Sequence, residues 1–178
     1  MKNFLENIQL IKHTQIKLPV NKSEFIRSFK QHVDEGHIGA FSSMFEAFSS
    51  SKNRYKGNIT QNTFEIRRRR EFFDRTSYLA HATGSFRQQN DHIVIDTEIN
   101  GFSNFLIPFY VIITVFYLFF IFMIMTNVES SGILLVFIIF HAFLMYGIPY
   151  FVIKKRVKNT AIDLEKELFF MTQRNHNS

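Results

Sequence analysis

The sequence predicts an α+β protein: an antiparallel β-meander with one covering helix, then a transmembrane α-helical hairpin, then a C-terminal amphipathic helix. Three observations carry this. Residues 54–99 fall into short runs of alternating polar and apolar side chains separated by turn residues. Asn21 opens a stretch of helical periodicity. From Phe102 to Ile153 the chain is almost wholly apolar and is broken once, at 126–132. The expected organisation is a cytosolic α+β domain at 1–101, a hairpin at 102–153 and a cytosolic helix with a tail at 154–178. The two spans fall at about 105–125 and 133–153, with the 126–132 loop outside.

Met1 to His13 places Phe4, Leu5, Ile8, Leu10 and Ile11 at near-helical spacing, as either a short amphipathic helix or a frayed start. The stretch lacks the continuous apolar core of a secretory signal. Gln15 to Pro19 alternates polar and apolar and stops at proline, which reads as a short edge strand. Asn21 is a helix N-cap with Glu24 in the capping-box position, and Phe25, Ile26, Phe29 and Val33 share the apolar face. Asp34-Glu35-Gly36 ends that helix, and Phe41, Met44, Phe45 and Phe48 are spaced for a second, short one.

The period then changes to two. Tyr55 to Ile59 is a strand, Gln61-Asn62 its turn and Thr63 to Arg67 the return. Gly84 to Gln88 and His92 to Ile99 form a second hairpin about Asn90-Asp91, with Ile93, Ile95, Thr97 and Ile99 on one face. The last strand leads almost directly into the apolar stretch.

No charge occurs from Phe105 to Met125 or from Ile133 to Ile153. Each run is about twenty residues, enough at about 1.5 Å per residue to cross roughly 30 Å of hydrocarbon. The formal net charge is +6. Residues 1–101 hold 15 Lys and Arg against 11 Asp and Glu, residues 154–178 hold 6 against 3, and the loop between the spans holds Glu129 alone. Lys154, Lys155, Arg156 and Lys158 abut the end of the second span. The positive-inside rule therefore predicts an inner-membrane protein with both termini cytoplasmic.

Beyond Lys154 the spacing of Val157, Ala161, Leu164, Leu168 and Met171 is a heptad seam. Two heptads are too short for a free coiled coil, so the seam is expected to meet the soluble domain, a partner helix of a second copy, or the membrane surface. Arg67, Arg68, Arg69 and Arg70 read either as a solvated strand, its arginines paired across the sheet with Asp96 and Glu98, or as contacts to anionic lipid together with Lys154, Lys155 and Arg156. His141 is the readily titratable group at mid-depth of the hairpin, where a neutral imidazole can bond a carbonyl or the Tyr117 hydroxyl.

Composition narrows the function classes. The chain has no Cys, which excludes disulfides and thiolate metal sites. Seven scattered glycines form no phosphate-binding loop, and no nucleophile elbow or HExxH order is present. His13, His32, His37, His81, His92 and His176 are dispersed, and His32 to His37 spans a helix end without metal-ligand order. No nucleic-acid motif or basic helix occurs. The expectation is no catalytic, cofactor or metal site and no nucleic-acid partner. The partners expected are the lipid bilayer and a homo-oligomer or larger membrane-protein complex. An oligomeric membrane effector or channel-like protein, controlled by the cytosolic domain, is the alternative.

The run Tyr55-x-Gly57-x-Ile59-x-x-Asn62-x-Phe64-x-Ile66-x-Arg68, the later Gly84-x-Phe86, and Ile93 to Ile99 leading into an apolar pair resemble small uncharacterised bacterial membrane proteins. Those carry a β-rich cytosolic part followed by a two-helix hairpin. The resemblance spans residues 15–170 in layout and implies that architecture, with no activity to carry over. A chain rich in Phe, Ile, Lys and Asn also suggests an AT-rich bacterial genome.

Overall fold

The computed structural model describes residues 2–38, 51, 53–69, 80–102, 106–126 and 131–174. The order is α1 (Lys2–Asn7), β1 (Ile11–Leu18), α2 (Lys22–His32), β2 (Val33–Glu35), β3 (Tyr55–Ile59), β4 (Thr63–Arg68), β5 (His81–Gln89), β6 (His92–Asn100), α3 (Leu106–Thr126) and α4 (Ser131–Arg174). The architecture is α+β: one six-stranded, mostly antiparallel sheet, with helices, and two long apolar helices. The short helix spaced over Phe41 to Phe48 lies outside the described residues.

The sheet order is β1-β6-β5-β4-β3-β2. The expected meander forms its four central strands, β3 to β6, joined through Gln61-Asn62 and Asn90-Asp91. Asn90 takes a φ of 51°, a left-handed conformation that Asn tolerates better than most residues. Two edge strands extend the expectation. β1 pairs antiparallel with β6 along all eight residues, starting four residues earlier than the alternation implies. Val33 to Glu35, read as the end of α2, instead pairs parallel with β3.

Local chemistry sets α2. The Asn21 side chain accepts from the Glu24 backbone N–H at 2.8 Å, a cap of the kind worth about 1 kcal/mol. Phe25 and Phe29 are buried and form a four-ring cluster with Phe64 and Phe86, Phe25 to Phe86 having centroids 5.0 Å apart. Rings at such tilted or edge-on angles add attraction beyond their burial.

α3 and α4 lie against each other. Thr114 meets Tyr146 and Tyr117 meets His141, so sequence numbers rise on one helix as they fall on the other. α4 then differs from the expected division at Lys154. It is one continuous helix of 44 residues, running through Pro149 and past the lysines. Among its described residues the first part has no fully buried one before Ile153, whereas Val157, Ala161, Leu164, Leu168 and Met171 are each no more than 4% exposed in the core shared with α2 and the sheet. Position 154 therefore marks a change of environment within a helix.

The entry and exit of the apolar pair meet at Gly101. Its N–H donates to the Leu10 carbonyl at 3.0 Å, and a Cβ there would come within 2.5 Å of Val157 Cγ2 and 2.7 Å of Ile153 Cγ2. At Gly147 a Cβ would meet nothing within 4 Å. Gly101→Ala should therefore lower stability by about 1–3 kcal/mol through overpacking, read as a fall in Tm in detergent, while Gly147→Ala leaves Tm unchanged or raised.

Candidate functional site

Two regions gather polar side chains in positions that need explanation: the contact between α3 and α4, and the end of the sheet where α4 crosses it.

Along α3, Tyr110, Thr114 and Tyr117 sit at helical spacing on one side and face His141 and Tyr146 of α4. The Tyr117 hydroxyl lies 2.7 Å from His141 Nδ1, and the Thr114 hydroxyl lies 2.6 Å from that of Tyr146. Thr114 also donates to the Tyr110 carbonyl at 2.7 Å. The Tyr110 and Tyr146 rings stack with centroids 5.5 Å apart, and Phe137 stacks on His141 at 6.1 Å. The Tyr117 hydroxyl, one of the two partners expected for His141, is the one it meets. Tyr146 was missed by sequence reasoning. The signal was the spacing Tyr110, Thr114, Tyr117, a polar stripe that requires a polar answer on the facing helix.

The arginine run is distributed over both faces of the sheet. Arg68 lies on the face covered by helices, half-buried, with its guanidinium 3.9 Å from Asp163 of α4. β4 ends at this residue. Arg69 pairs with Asp34 of β2 and its side chain is 11% exposed. Arg67 is 3% exposed, beside His81 in register. Arg70 lies outside the described residues. β5 lies between β4 and β6, so Arg67 and Arg69 are not on a strand next to Asp96 and Glu98. Asp96 instead accepts from Arg87 at 3.1 Å and Gln15 at 2.7 Å, and Glu98 from Lys2 at 2.7 Å.

Lys154 and Arg156 are half-buried and Lys155 is exposed, just past the apolar part of α4. The Lys154 ammonium sits 5.7 Å from the Tyr150 ring centroid, a cation–π distance. The heptad seam is occupied within the chain: Leu168 is fully buried and Val157, Ala161, Leu164 and Met171 nearly so, packed on the domain's own core. α4 also covers Tyr55, whose hydroxyl pKa is pushed up to about 12 by burial and by the nearby Glu167 carboxylate.

The face of the sheet turned from α2 and α4 forms an open trough of about 980 Å³, lined among others by His13, Gln15, Asn58, Glu65, Asp96 and Glu98. Within it Asn58 donates to Glu65 at 2.7 Å and Gln15 to Asp96 at 2.7 Å, while His13 lies 3.0 Å from Glu6 and Glu98 accepts from Lys2. Among the described residues no three His, Asp or Glu converge on a point where a metal ion could sit. No family model, curated protein or solved structure matches the chain.

His81 gives the domain a pH dependence. Burial, and then the Arg67 guanidinium, lower its pKa from the ordinary 6.5. The unfolded chain thus binds a proton that the folded one resists. The contribution to stability is fully present above 6.5 and is lost as pH falls below it toward the folded value. Tm should fall on acidification from neutral pH, and His81→Gln should flatten that fall.

In the α3–α4 contact, Tyr117→Phe should cost about 1 kcal/mol by removing the His141 partner. Tyr117→Phe combined with His141→Phe should recover part of that loss, since both polar atoms are then gone. Unfolding by SDS titration measures both.

Proposed function

We propose that this chain is a small integral protein of the bacterial inner membrane, acting as a non-enzymatic accessory or interaction subunit of a membrane complex. α3 and the first part of α4 form a transmembrane hairpin, and the rest of α4 is the amphipathic helix that holds the cytosolic domain. The observation that carries this reading is the exposure of the apolar helices. On α3 only Tyr117 and Ile124 are buried among the described residues, and on α4 nothing is before Ile153. A core helix of a water-soluble protein is mostly buried; these present Val111, Ile112, Phe119, Phe122, Phe137 and Phe143 outward at half exposure or more. Such a surface requires lipid or other helices around it.

Charge orients the pair. Lys154, Lys155, Arg156 and Lys158 follow the second span, and no Lys or Arg lies between the spans. Both ends are then cytoplasmic and the 126–132 connection is outside. Lys154, Lys155 and Arg156 lie at headgroup level, where each cation gains about 1 kcal/mol from anionic lipid. Arg67 and Arg69 are turned into the domain and take little part in that contact.

The interaction role rests on how the polar groups are used. Asn58 and Glu65 of the trough bond each other, Arg69 is paired with Asp34, and the polar groups between α3 and α4 close on their own helix pair. The Phe-rich outer surface of the hairpin is open and suits a second copy or another membrane protein. The second reading, an oligomeric effector or channel-like assembly, draws on Thr114, Tyr117, His141 and Tyr146. It requires α3 and α4 to part so that these groups line a path between copies.

Extraction in a mild detergent followed by size-exclusion chromatography with light scattering should give an oligomer or a complex larger than the monomer. A clean monomer with nothing co-purifying counts against the interaction role. Because α4 supplies core residues, the contact is mapped with outward substitutions such as Phe122→Ala and Phe143→Ala rather than by truncating the chain. Depolarisation of expressing cells that is relieved by His141→Ala would favour the second reading.

A further inference from the structure

Among the described residues of the sheet domain and its helices, the exposed large apolar side chains are Phe4 on α1 and Ile162, Phe169 and Phe170 on α4. Their distances from the apolar spans differ. Phe170 lies 17 residues past Ile153, roughly 25 Å of helix rise away. Phe4 lies close to the end of the span. The Tyr150 hydroxyl, four residues before Lys154, donates to the Ile8 carbonyl at 3.3 Å. The Ile8 N–H in turn donates to the Phe4 carbonyl at 3.1 Å, so Phe4 is one helical turn from that contact.

α1 is held in this place from the other side. Leu5 is buried in the core, and Leu10 accepts from Gly101 where the chain leaves β6 for α3. Leu5 faces the protein while Phe4, 63% exposed, faces away. Lys155 is exposed just past the end of the apolar run, and Lys154 sits over the ring of Tyr150, whose hydroxyl meets the Ile8 carbonyl. An exposed aromatic side chain at the level where an apolar helix ends and basic residues follow it suits the headgroup–acyl boundary of a bilayer with anionic lipid.

We propose that α1 is an interfacial anchor, with Phe4 seated in the boundary layer of the membrane that α3 and α4 cross. The proposal rests on the spanning reading above. It makes the cytosolic domain lie with the Ile11 and Asn100 end of its sheet against the bilayer, fixed at a third point besides its two covalent connections.

The chain has no Trp, so a single introduced indole is an unambiguous reporter. Phe4→Trp, Phe119→Trp and Phe170→Trp replace exposed rings and are made one at a time in the full chain. Each is reconstituted in phosphatidylcholine–phosphatidylglycerol vesicles containing lipid brominated either near the headgroup or deep in the acyl chain. The Phe119→Trp variant should be quenched by the deep bromine. The Phe4→Trp variant should show blue-shifted emission. It should lose intensity to the shallow bromine to a degree comparable with the loss of the Phe119→Trp variant to the deep one. The Phe170→Trp variant should be quenched by neither. Water-like, unquenched emission from Phe4→Trp beside quenched emission from Phe119→Trp overturns the anchor and leaves the spanning reading standing. Unquenched emission from Phe119→Trp overturns both. Quenching of Phe170→Trp equal to that of Phe4→Trp overturns the assignment to α1, because the domain would then lie along the bilayer through α4.

Discussion

The docking of one stripe of α4 on the end of the sheet is the interaction on which the rest depends. Ile153, Val157, Leu164, Leu168 and Met171 are at most 3% exposed, and burying side chains of this kind contributes about 1.5–3 kcal/mol each. The same stripe meets Gly101, the point where β6 gives way to the segment leading into α3. The two connections between the sheet domain and the apolar pair therefore pass through one packed junction. A side chain at position 101 would force α4 away, so the absence of a Cβ there is a requirement of packing rather than of backbone conformation.

That junction explains the disposition of charge. With α4 lying over the helix-side face, Arg68 finds Asp163 and the Tyr55 hydroxyl is shut away from water beside Glu167. On the opposite face Arg69 finds Asp34, which is available only because Val33 to Glu35 leaves the helix and joins the sheet. Arg68 and Arg69, part of what looks like a basic patch in one dimension, instead tie β4 to α4 and to the β2 edge. On the proposed membrane reading, the cations at the end of the apolar run, such as Lys154 and Lys155, are the ones placed for a bilayer surface.

Between α3 and α4 the polar groups are few and matched. His141 with Tyr117, and Thr114 with Tyr146, satisfy one another within the helix pair. An unmatched polar group is costly in an apolar setting, so the pairing stabilises the antiparallel contact and sets its register. The pair is specific on its inner side and generic on its outer side.

Much of this was legible in the residues. Asn21 with Glu24 located α2, because a capping bond is local. The period-two runs and Asn90-Asp91 located β3 to β6, because neighbouring strands in a meander are set by short turns. The apolar runs located α3 and the first part of α4 by length alone. Three things were settled by tertiary structure. β1 and β2 join a sheet whose partners lie 22 to 89 residues away in the chain, and no local signal records such distances. The heptad spacing of Val157 to Met171 marks an apolar face but not its occupant, since any apolar surface of matching shape would serve; the chain's own sheet takes that place. The arginine partners depended on which strand lies between which, a matter of sheet order that alternation along a single strand does not encode.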